Sequence, residues 1–148
     1  MEFDKSAFVK DFISRTKENM QYGNHPYEIT QFVNSLIGLL VLPKEKYYHN
    51  IKNNMIDSEL LNKIQQCVII NTPEKDLDLK YIIRRMRNAI SHFHVDFTVD
   101  PNTREISGII FSDYDPNNNK NRSNFKISLT PELIKTFIYQ FSDAISKI

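Results

Sequence analysis

The chain has little that would staple it, kink it or carry it across a membrane. It holds one Cys, three Gly and no Trp in 148 residues. A single cysteine excludes an internal disulfide framework and suits a reducing cytoplasm. Cys67 stands just ahead of Val68-Ile69-Ile70 and reads as a buried structural thiol. No Cys/His set has the spacing of zinc ligands, so no metal is expected, and no motif calls for a cofactor. With so few glycines and no Ser/Gly-rich linker, nothing marks a second domain. The longest apolar run, Leu36 to Leu42, falls far short of the ~20 residues that span a bilayer. The N-terminal Met1-Glu2-Phe3-Asp4 is acidic and unlike a signal peptide. These features together lead us to expect a cytoplasmic protein with no membrane partner. Nor is there an excess of either charge: 19 basic residues face 18 acidic ones, for a net charge of +1. That balance excludes a general nucleic-acid-coating protein, so any RNA contact must come from a local patch.

What is present belongs to an ordinary globule. Hydrophobic residues make up 41% and charged residues 25% of the chain. This length and composition suit a single domain, 1–148, around one core. Residues 5–20 carry Phe8, Phe12, Ile13 and Met20 near one helical face, and Gly23-Asn24-His25-Pro26 then breaks the pattern. A second helix is expected from Tyr27 to Leu42, apolar almost all round and therefore buried or at a subunit contact. The third runs from Asp57 to Ile70, with Asp57 or Ser58 as its cap and Leu60, Leu61, Ile64 and Val68 turned inward. The fourth, capped by Asp76, ends near His92. The period then changes from helix to strand. His94–Val99, Glu105–Phe111 and Phe125–Leu129 alternate as three short antiparallel strands, with Asp113–Asn121 as a polar loop. Thr130 and Pro131 open a last helix whose inward stripe is Ile134, Phe137, Ile138, Phe141 and Ile145. The expected fold is mainly α, a bundle of four to five helices with a small three-stranded sheet inserted before the last one.

The chemistry is concentrated in Arg84-Arg85-Met86-Arg87-Asn88-Ala89-Ile90-Ser91-His92-Phe93-His94. At about 100° per residue, Arg85, Asn88 and His92 share one helix face. Arg87 lies about 140° round from His92 by the same count. Either its long side chain reaches back past a frayed helix end, or the site is completed across a symmetric pair of chains. A titratable His beside fixed guanidinium charges suits chemistry on a phosphate, in which His moves protons and Arg holds anionic oxygens. A solvated basic helix face ending in a capping His is the alternative reading of the same residues.

Arg87-Asn88-Ala89-Ile90-Ser91-His92 resembles the signature of the HEPN superfamily, small helical domains that include many metal-independent ribonucleases of toxin–antitoxin and antiviral systems. Asn34–Lys46 resembles the second helix of a plasmid-borne bacterial HEPN subfamily, and the likeness extends over roughly residues 5–148. It implies a metal-independent endoribonuclease that cuts single-stranded RNA to 2′,3′-cyclic phosphate ends, in a toxin–antitoxin or phage-defence setting. By this likeness Arg87, Asn88 and His92 are the catalytic residues, and Glu45 is a supporting neighbour of the site. Arg84, Arg85 and Ser91 are candidate RNA contacts. The implied partners are RNA, a second copy meeting through the motif helix, and an antitoxin or other inhibitory protein. A non-catalytic HEPN module for nucleotide binding or protein interaction is the competing class. HEPN toxins silenced by adenylylation carry a Tyr two positions after the His. That position is His94 here, so the likeness does not imply this mode of regulation.

Overall fold

A computed structural model describes residues 14–15, 28–41, 48–72, 74–114 and 123–147; of 28–41, the side chains of 34–40 are described. The expected helix over 5–20, the turn at His25 and Glu45 lie outside these residues, apart from Ser14 and Arg15, which are helical.

The elements follow from local chemistry. Helix α1 is Glu28–Val41, and it buries Leu36, Leu39 and Leu40. Two short 3-10 turns, Tyr48–Asn50 and Asn53–Met55, come next. Helix α2 is Ser58–Gln66, opened by Asp57, whose Oδ1 accepts from the Leu60 N–H at 2.7 Å. Strand β1, Val68–Asn71, follows within two residues. Helix α3 is Leu79–Ser91. Its cap is Asp78 rather than the expected Asp76, with Asp78 Oδ1 2.7 Å from the Tyr81 N–H. Strands β2 (Val95–Val99), β3 (Ile106–Tyr114) and β4 (Ser123–Leu129) lead into α4, Pro131–Ser146. Thr130 caps α4, Pro131 sits in its first turn, and all five residues of the expected inward stripe are buried.

The expected mainly helical bundle with a three-stranded sheet is incorrect. The described residues form four helices and one four-stranded antiparallel sheet in the order β1-β4-β3-β2. The fourth strand is β1, cut from what reads as the end of the third helix. Leu60, Leu61, Ile64 and Val68 keep a helical spacing, so periodicity alone runs the helix on to Ile70. The run Val68-Ile69-Ile70 is β-branched, however, and favours strand. It pairs with β4 through Val68↔Ile127, Ile70↔Lys126 and Asn71↔Phe125. The sheet is thus not an insertion ahead of the last helix. The chain leaves it at the β1 edge, crosses in α3, and re-enters at the opposite edge as β2.

One core lies between the inner face of the sheet and the helices. Ile109 and Phe111 of β3 and Phe125, Ile127 and Leu129 of β4 face Leu79, Ile82, Ile83, Met86 and Ala89 of α3, with α1 and α4 completing the layer. This packing presses α3 against β3 and so decides which motif side chains meet the sheet.

Candidate functional site

Helix α3 ends in a Schellman motif built without glycine. His92 is the capping residue, with its N–H on Asn88 O. Phe93 N–H donates to Ile90 O at 3.1 Å and His94 N–H to Ala89 O at 2.8 Å, the two bonds that define this ending. The residue in the left-handed conformation is Phe93, at φ 59°, where Gly would carry no Cβ penalty. Its side chain is 93% exposed.

The sequence-derived candidates fall into two environments. Arg87 is buried, only 8% exposed, and its guanidinium carbon stands 4.8 Å from the centre of the Tyr48 ring. Burial pulls its pKa down, with Arg84 adding in the same direction and Tyr48 opposing. His92 is exposed. The two are therefore not a side-by-side pair on one face of the helix, and the structure leaves Arg87 tucked under the Tyr48 turn rather than in an open cleft. Ser91 Oγ donates to Arg87 O at 3.1 Å, a bond within the helix.

Arg85 and Asn88 turn to the sheet, where both meet Asp113. Asn88 Nδ2 donates to Asp113 Oδ2 at 3.2 Å, and Arg85 Nε stands 3.0 Å from the same oxygen. The buried Nε–H is angled away from a hydrogen bond, so the contact with Asp113 is Coulombic. Arg85 Nη2 also donates to Asn124 Oδ1. The guanidinium lies over Tyr81 and Phe125, its carbon 5.9 and 5.4 Å from the two ring centres. Arg85 is thus held inside the chain, whereas Arg84 is exposed. Asp113 Oδ1 accepts from the Tyr114 N–H at 2.9 Å, so one carboxylate ties the motif helix to the end of β3.

Sequence reasoning missed Asp113, Asn124, Tyr48 and Tyr114. Asp113 was legible in principle. Ile109, Phe111 and Asp113 continue one inward row at a spacing of two, and a carboxylate on that row demands a partner. Tyr48 and Asn124 come to the helix from distant segments and carry no local signal. His94, at the +2 position, is exposed. Its ring stands 4.4 Å from Tyr114 and 6.3 Å from His92, the two imidazoles inclined by 29°. Among the described residues, no group of three or more His, Cys, Asp or Glu could hold a metal ion, and no helix is long and apolar enough to cross a membrane.

No curated protein and no solved structure matches the chain. The family model described as HEPN pEK499 p136 matches residues 1–148, and the protein belongs to that HEPN family.

Proposed function

We propose that the protein is a HEPN-type endoribonuclease that cuts single-stranded RNA without a metal. The observation that carries this reading is Arg87-Asn88-x-x-x-His92 on one helix of a HEPN chain, with His92 exposed at the helix end. RNA supplies its own nucleophile in the 2′-hydroxyl. Loss of that proton lets O2′ attack the adjacent phosphorus. The P–O5′ bond breaks, and the 5′-oxygen takes up a proton as it leaves. The products are a 2′,3′-cyclic phosphate and a 5′-hydroxyl. His92 serves this proton traffic, and Arg87 offsets charge growing on the non-bridging oxygens. Asn88, held by Asp113, keeps the helix end in register with the sheet. Of the RNA contacts, Arg84, exposed over the Tyr81 ring, meets a backbone phosphate, Ser91 is exposed two turns further along the helix, and Arg85 acts through the Asp113 pair.

The active form in this reading is a homodimer meeting at the ends of the motif helices. Arg87 and His92 sit in opposite surroundings within one chain, and a two-fold contact supplies each group twice. Phe93 supports it: an aromatic ring held in water on a left-handed residue is costly unless something covers it. Phe97 and Val99 on the adjoining edge strand are also exposed. The setting we propose is a toxin–antitoxin or phage-defence system with an inhibitory partner protein.

A second reading has its own support. The burial of Arg87 and the engagement of Asn88 by Asp113 also suit a HEPN module that binds nucleotides or a protein without cleaving. Purified protein incubated with total RNA in EDTA, run beside His92→Ala, separates the two. Cleavage that leaves cyclic phosphate ends and is lost in the variant supports the nuclease. Intact RNA, or equal cleavage by the variant, removes it in favour of the module.

A further inference from the structure

We infer that Lys80, Arg84 and Arg87, backed by the Tyr48 turn, form a phosphate-binding stripe along α3 that seats the RNA backbone. This inference rests on the reading of the protein as an RNA-binding HEPN domain and names where the phosphates of the strand lie. At about 100° per residue, Lys80, Arg84, Arg87 and Ser91 fall within about 60° of one another on the helix. The stripe ends one residue before His92. Two of its cations meet on one aromatic ring. Lys80 Nζ stands 5.0 Å and the Arg87 guanidinium carbon 4.8 Å from the centre of Tyr48, so these charges are at most 9.8 Å apart. Arg84, between them in sequence, is exposed over Tyr81, its guanidinium carbon 5.5 Å from the ring centre.

Nothing among the described residues neutralises this stripe. No carboxylate there pairs with Lys80, Arg84 or Arg87, although Arg87 is only 8% exposed. A buried charge is ordinarily paired, and Arg85, turned to the sheet on the same helix, has Asp113. Asp78, the acid nearest to Lys80 in sequence, is engaged in capping the Tyr81 N–H. The positive charge of Arg84 is close enough to disfavour the charged form of Arg87. A phosphate relieves that repulsion and supplies the missing counterion. The Tyr48 turn is a fixed support: Ile51, buried in the core, donates its N–H to Tyr48 O at 3.3 Å, and His49 meets the Tyr48 ring edge-on at 5.8 Å. Contact with ring faces leaves the guanidinium and ammonium N–H groups at their edges for phosphate oxygens.

The test uses a fluorescein-labelled single-stranded oligodeoxynucleotide, which carries phosphates but lacks the 2′-hydroxyl needed for cleavage. Its Kd is measured by fluorescence anisotropy across a series of salt concentrations. Each phosphate contact on a single strand contributes about 0.7 to the slope of log affinity against log salt. Lys80→Ala and Arg84→Ala should each lower that slope by about 0.7 and weaken binding about fivefold at roughly 0.1 M salt, whatever the base sequence. Lys80→Arg should keep the wild-type slope. Tyr48→Ala should lower it, and Tyr48→Phe, which keeps the ring, should not. Lys63→Ala, which removes a cation paired with Glu59 on α2, should leave it unchanged. Thermal unfolding of each variant separates a lost stripe from a lost fold. A wild-type slope in folded Lys80→Ala, or no binding of the strand by wild type, overturns the stripe. Because this strand cannot be cleaved, that failure is distinct from a failure of the nuclease, which the total-RNA assay reads alone.

Discussion

Arg87 and His92 lie five positions apart on one helix and live in opposite surroundings. The Arg87 guanidinium is packed over Tyr48 and shielded from water. The His92 ring stands in the open at a helix end that a phenylalanine, not a glycine, closes. Arg85, just before them, and Asn88, between them, are tied to Asp113 on the sheet. The middle of the motif thus belongs to the structure and its end belongs to whatever the protein meets. A signature read as one unit of chemistry divides into a part held within the fold and a part open to solvent.

The sharpest way to break that division is at the buried carboxylate. Asp113→Asn leaves the Arg85 charge without its counterion in a site where Asp113 is only 3% exposed. Removing one partner of a buried pair costs about 3–5 kcal/mol, read as a fall in the chemical denaturation midpoint. Replacing both groups by apolar ones, Arg85→Met with Asp113→Leu, should recover much of the loss. A single variant as stable as wild type would show that the pair does not hold the helix.

The two ends of the motif should then separate by phenotype. His92→Ala and Arg87→Ala should each slow RNA cleavage by about a hundredfold or more. Only Arg87→Ala should also unfold more easily, by about 1–2 kcal/mol, because it deletes packing and a cation–π contact with Tyr48. Differential scanning calorimetry checks this: the Tm of His92→Ala should match wild type, and that of Arg87→Ala should fall by about 3–8 °C. Equal Tm values would contradict the contrast between the two sites.

Phe93→Gly should act with opposite signs on the chain and on the assembly. Relief of a left-handed L-residue favours the folded chain by up to about 1 kcal/mol, offset in part by the freedom of Gly in the unfolded state. Loss of the exposed ring should weaken self-association by about tenfold or more, read by light scattering across a dilution series. A dimer that survives the change places the contact elsewhere. The smallest effect concerns Cys67, far from the motif in sequence. Partial burial pushes its thiol pKa up, so less thiolate is present at mildly alkaline pH. Iodoacetamide should modify it more slowly than a free thiol in solution, and faster labelling would refute that burial.

Much of this was legible in the chain, and the failures have a common cause. The spacing of Ile134, Phe137, Ile138, Phe141 and Ile145 marked α4 and its buried face, and Thr130-Pro131 marked its start. The alternation from Val95 to Leu129 marked three strands, although β3 runs on to Tyr114 and takes in Asp113, which read as loop. The expectation that β1 was helix came from a stripe in which Val68 obeys the helical period as well as the strand. His94 stands exposed just ahead of β2, an edge strand whose residues 96–99 are themselves exposed, a placement that the alternation of apolar and polar residues does not reveal. Nothing within a few residues of Arg87 announces Tyr48.

By itself the sequence determined the local terms: where helices start and stop, which faces are apolar, and that Arg87, Asn88 and His92 share one helix of a HEPN chain. These depend on contacts between residues at most four or five apart, so a linear pattern contains them. Only the tertiary structure decided that Val68–Asn71 joins β4, that Arg87 is covered, and that Asp113 gathers Arg85, Asn88 and Tyr114. Burial and strand pairing depend on partners such as Asn88 and Asp113, 25 residues apart. Their energies are set by which surfaces the packed core leaves beside one another.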